Sequence, residues 1–139
     1  MSPAERQDAL AQELLKIEDA QERLSYAIDR IRRRPSLPAE SRVEEYRIQG
    51  CATKVWLRPS IRNGLCFFEV DSESAMVRGL AALVADVYTD TLPNEAATFS
   101  ATIFEAARLE RMITPTRQNG LAFLQAAIRN FALSHSSNP

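Results

Sequence analysis

Two cysteines and one histidine are the residues in this 139-residue chain best suited to covalent or metal chemistry. Cys51 stands in Arg47-Ile48-Gln49-Gly50-Cys51-Ala52-Thr53-Lys54-Val55-Trp56-Leu57, in a short connection between two predicted strands. A hairpin loop exposes a side chain. Thiols attack only as thiolates, and neighbouring cations such as Arg47 and Lys54 would lower the pKa of Cys51 and favour that form. Gly50 lets the backbone take a conformation closed to other residues and leaves room for a partner's reactive group. A free cysteine can equally be an inert buried filler, and spacing alone leaves both readings open.

Cys66 lies in Gly64-Leu65-Cys66-Phe67-Phe68-Glu69-Val70, an apolar strand where a small thiol packs and stays protonated, so it reads as core. A disulfide between the two is not expected if the chain works in a reducing compartment. His135 falls in the polar tail LSHSSNP, which argues against Ser-His-Asp or Cys-His catalysis. Two cysteines and a tail histidine also fall short of the four ligands of a structural zinc site or an iron–sulfur cluster. No metal site is expected.

The elements that must position Cys51 are legible in the apolar pattern. Ser2-Pro3-Ala4-Glu5 is a capping box, and Asp19-Ala20-Gln21-Glu22 a second helix start, predicting helices over 3–17 and 20–33. Arg30, Arg32, Arg33 and Arg34 close the second helix, as a solvated helix end or as a partner-binding patch. Pro35 and Pro38 enforce an extended connector over 35–42. Three β-rich segments follow at 43–49, 54–59 and 64–70, with turns at Gly50 and at Arg62-Asn63-Gly64, predicting a three-stranded antiparallel sheet. Met76, Val77, Leu80, Leu83, Val84 and Val87 mark a central helix capped by Ser72 or Asp71. Trp56 and the Met76/Leu80/Leu83 stripe read as core. Thr114-Pro115 opens a last helix through Leu121, Leu124, Ile128, Phe131 and Leu133. Gly120 inside it is worth about 1 kcal/mol less than alanine there, which predicts a close packing partner.

At this length, with 45% apolar residues, one domain over 1–139 is expected: helices over 3–33, sheet over 43–70, helices over 72–133 and a disordered tail at 134–139. A net charge of -1 offers no global field for nucleic acid or an anionic membrane surface. No apolar run approaches the roughly 18 residues of a membrane span, and MSPAERQDAL lacks the pattern of a signal peptide. A soluble, cytoplasmic protein is expected.

GCATKVWL, DSESAMVRGLAALVADVY and ITPTRQNGL, in that order and spacing, resemble the SufE/CsdE family of cysteine-desulfurase activators and sulfur acceptors. Relative to that family the chain carries Thr53 and Thr116 for serine, Ile113 for leucine, Glu73 for aspartate, and lacks an asparagine near Tyr46. The resemblance implies an α/β (α+β) fold, a small antiparallel sheet covered by helices, similar to the IscU-type scaffold. Likeness of fold does not transfer function. It further implies that Cys51 accepts persulfide sulfur from a SufS- or CsdA-type desulfurase and passes it to an iron–sulfur scaffold. In that family the cysteine loop can tuck its thiol into an apolar cavity and swing out when the desulfurase docks. Pyridoxal phosphate would reside on that partner, with no cofactor bound by this chain. Arg117, matching the arginine of the last motif, would support an anionic persulfide, as would Lys54 the thiolate; Gly50, Ala52, Thr53 and Glu73 would meet the partner. Asp71 and Glu73 read as helix caps rather than acid catalysts. A non-catalytic desulfurase-binding adaptor and a thiol redox sensor are the competing readings.

Overall fold

The structure, a computed structural model, describes residues 1–136. Helix α1 (Pro3–Leu15) begins at the capping box read from the sequence: the Glu5 amide donates to Ser2 Oγ at 3.1 Å, and the Ser2 amide to Glu5 Oε1 at 2.9 Å. Helix α2 (Ala20–Asp29) begins where Asp19 Oδ2 accepts from the Glu22 amide at 2.9 Å.

That second helix ends before the arginine run and not within it. Arg30 and Arg34 both turn back to Asp86, whose carboxylate lies 2.8 Å from Arg34 Nη2. Burial alone would raise the Asp86 pKa, but hydrogen bonds and charge from Arg34 and Arg30 outweigh it and hold the carboxyl below its ordinary range. Two of the four arginines are thereby committed to holding α2 against the central helix.

The sheet has two strands among the described residues, where three were expected. Strand β1 (Val55–Arg62) pairs antiparallel with β2 (Leu65–Ser72), in register from Val55 opposite Ser72 to Arg62 opposite Leu65. Asn63 and Gly64 turn the hairpin with φ of 51° and 78°, as Asn-Gly does at two-residue turns. The missing strand is the 43–49 segment. Glu44–Tyr46 winds into one 3-10 turn, leaving Arg47 to make a single bridge to Trp56 and the Ile48 amide to donate to Val55 O at 2.9 Å. The turn takes up the residues an edge strand would need, so β-branched and aromatic composition was not enough to extend the ladder.

Helix α3 (Ala75–Tyr88) runs through the centre, with Leu80, Leu83, Val87 and Tyr88 at 0–1% exposure. It packs on β2 and is flanked by α1, α2 and the last helix. Its cap is Ser74, which accepts from the Val77 amide at 3.3 Å, not Ser72 or Asp71. Asp71 is instead drawn inside, 1% exposed, accepting from the Leu37 amide at 3.0 Å and from Arg42 Nη2 at 2.7 Å. Trp56, at 7% exposure, and Cys66, at 0%, lie in the core as expected.

Short helices α4 (Pro93–Thr98) and α5 (Ile103–Ala106) carry the chain across one end to α6 (Pro115–Ser134), capped by Thr114 as predicted. Leu121, Leu124 and Ile128 of α6 are buried. The helix runs on to Ser134, and the His135 ring stacks at 4.2 Å from that of Phe131. Residues 137–139 of the predicted tail lie outside the described residues.

Candidate functional site

Cys51 sits on the irregular segment between the Arg47 bridge and β1, and that segment lies against α6. Gly50 directs it there with φ of 90°, a conformation side chains with a Cβ rarely adopt. The thiol is half-buried, and its Sγ donates to the carbonyl oxygen of Gly120 at 3.5 Å. A Cβ built on Gly120 would stand 3.3 Å from that sulfur. The close partner predicted for Gly120 is therefore Cys51 itself.

Beside the sulfur is a small cavity of about 40 Å³ between the Cys51 segment, α3 and α6. Its walls are mainly apolar, among them Val55, Val77, Leu80, Leu121 and Leu124, and Ala52, Thr53, Thr116 and Arg117 also line it. The space exceeds the roughly 10–15 Å³ that one water requires. An outer, more open cleft adjoins it, lined by Gly50, Cys51, Ala52, Thr116, Asn119, Ala122 and Phe123.

Burial pushes the Cys51 thiol pKa up, and the opposing charge of Arg47 does not overcome it. The expectation of a lowered pKa is thus overturned for this arrangement. Arg47 is also engaged by Glu44 at 3.1 Å, while Lys54 is exposed and lines neither the cavity nor the cleft. A thiol that faces a carbonyl in an apolar recess with its pKa pushed up is a poor nucleophile where it stands. Chemistry requires that it leave the recess or that a partner supply the charge that ionises it.

Of the other residues singled out from sequence, Ala52, Thr53 and Arg117 share the cavity with Cys51, and Gly50 shares the outer cleft. Glu73 does not join them; it is exposed between β2 and α3 and lines neither space. Sequence reasoning passed over Phe123. It falls outside the apolar stripe of α6, so periodicity marks it as a solvent position, and only an aromatic at such a position hints at a role.

A family model described as SufE, Fe-S metabolism associated domain, matches residues 8–132. This chain belongs to the SufE family. An uncharacterized SufE-like protein of Rhizobium etli is 32% identical over 130 residues, covering 90% of this chain and 88% of the relative. A solution structure of a hypothetical protein from Thermus thermophilus superposes with a TM-score of 0.77 over 97% of each chain at 14% identity, a likeness of fold alone. SufE membership ties the chain to iron–sulfur metabolism. Among the described residues no helix is long and apolar enough to cross a membrane.

Proposed function

We propose that this SufE-family chain accepts a sulfur atom on Cys51 from a pyridoxal-phosphate-dependent cysteine desulfurase, stimulates that enzyme, and hands the sulfur to an iron–sulfur scaffold. The thiolate of Cys51 attacks the outer sulfur of the desulfurase persulfide. A new S–S bond forms at Cys51, the S–S bond on the desulfurase breaks, and the desulfurase cysteine leaves as a thiolate. No net oxidation occurs. The pyridoxal phosphate is the partner's, and this chain contributes a nucleophile, a shelter and a docking surface.

The observation that carries this reading is the placement of Cys51 on an irregular segment directly beside an apolar recess with room for one more sulfur atom. Shelter from water suits a persulfide in transit, and Arg117 in the wall suits an anion. A redox sensor fits less well, since those thiols are accessible and of low pKa, whereas Cys51 is half-buried with its pKa raised. The reading carries with it a cytoplasmic setting, where desulfurase and scaffold would be met.

Sulfide release by a desulfurase, measured with each cysteine variant, is the test. Cys51→Ser should abolish stimulation, while Cys66→Ser should keep most of it. The tryptic peptide holding Cys51 should also gain the mass of one sulfur after incubation with desulfurase and cysteine. Full stimulation by Cys51→Ser would instead mean an adaptor that accepts no sulfur.

A further inference from the structure

Phe123 projects from the outer side of α6 with 50% of its surface exposed. A single exposed aromatic needs no explanation by itself. What sets Phe123 apart is the covered side of the ring. A Cβ on Gly50 would lie 2.7 Å from Phe123 Cε2 and 2.8 Å from Cδ2, distances no real side chain keeps, so the ring lies on bare backbone that only glycine offers.

Three residues earlier on the same helix, Gly120 makes the corresponding gap for the Cys51 sulfur. Residues three apart on a helix share a face. Helix α6 therefore grips two consecutive loop residues at two points: a helix glycine admits the cysteine, and a helix aromatic covers the loop glycine before it. Cys51 is wall to both the inner cavity and the outer cleft, and Phe123 flanks the cleft. A turn of the backbone at Gly50 would carry the sulfur toward the cleft, and the ring of Phe123 lies on that backbone.

We propose that Phe123 is a positioning residue for the sulfur-transfer site: its ring, seated on Gly50, sets the balance between Cys51 sheltered against Gly120 and Cys51 accessible to a partner. This deepens the carrier reading and rests on it for its purpose, but the balance is a property of the free chain. Removing the ring should favour the accessible state, because the contact on Gly50 that accompanies the sheltered thiol is lost.

The test follows iodoacetamide alkylation of the full chain at fixed pH, with Cys51 and Cys66 peptides read separately by mass spectrometry. Cys66, with 0% exposure, reports global opening. Phe123→Ala should speed alkylation of Cys51 by about tenfold, or about 1.4 kcal/mol, with Cys66 unchanged. Phe123→Leu, which keeps an apolar cover and guards against a variant that fails to fold, should give a smaller rise at Cys51 alone. An unchanged Cys51 rate in either folded variant overturns the proposal, as does an equal rise at both cysteines, which would mean general loosening. No desulfurase is present. A negative result here therefore leaves the carrier reading standing, and a failure of Cys51 to accept sulfur leaves the alkylation result standing.

Discussion

The Sγ of Cys51 lies 3.5 Å from the carbonyl oxygen of Gly120, sixty-nine positions along the chain, and that contact joins the loop to the final helix. A side chain at 120 would crowd the sheltered thiol. A Cβ there would meet the sulfur at 3.3 Å, tight by a few tenths of an ångström.

Gly120→Ala sets two effects against each other. Alanine is favoured over glycine within a helix by about 1 kcal/mol, while the new methyl presses on a sulfur carried by a loop that can yield. Stability in urea should therefore change by no more than about 1 kcal/mol. Alkylation of Cys51 should become faster, and a Cys51 rate equal to that of the parent chain would show that the glycine does not govern shelter.

The pH response follows from the direction of the Cys51 shift. Folding holds the thiol pKa above its ordinary 9.0, so the folded state holds the proton more tightly than the unfolded chain. The resulting stabilisation is fully present below the ordinary value and is lost as pH rises through the higher folded value. The pH profile of Cys51 alkylation should accordingly have its midpoint above 9.0, and Arg47→Ala should move it further up by removing the opposing charge. A midpoint below the ordinary value would contradict the buried arrangement.

Asp71 and Glu73, two residues apart, should respond to replacement by alanine to different extents. Asp71 is buried and joined to Arg42, with Arg78 Nε at 3.5 Å, so its loss leaves the Leu37 amide without its partner and removes the tie to two arginines that reach toward solvent. Asp71→Ala should cost about 1–3 kcal/mol, the usual loss when a buried donor is left unsatisfied. Glu73 is exposed, and Glu73→Ala should stay within about 0.5 kcal/mol. Denaturant unfolding of both variants separates them, and equal midpoints would refute the distinction.

Arg117 lines the cavity and makes no ion pair among the described residues. If it supports an anionic persulfide, Arg117→Ala should slow sulfur acceptance by about tenfold, or about 1.36 kcal/mol of barrier, with the melting temperature nearly unchanged. Arg117→Lys should recover part of the rate, since charge is kept and the planar fork is lost. Acceptance at the parent rate in a folded Arg117→Ala chain would remove the residue from the site.

Local chemistry alone determined a large part of this protein. The Ser2, Asp19 and Thr114 caps, the Asn63-Gly64 turn, the α3 stripe and the core position of Cys66 each depend on residues within a turn or two of one another. The motif blocks around Cys51 and Arg117 likewise sufficed for the family. Tertiary structure decided the rest, because each remaining feature is a contact between distant segments. Tyr46 and its neighbours coil instead of extending the sheet, Asp71 goes inside to meet Arg42 and Leu37, and Asp86 captures Arg30 and Arg34. Cations beside Cys51 in sequence suggested a thiolate, but the fold packs the sulfur against Gly120 and an apolar recess, where desolvation outweighs the charge of Arg47.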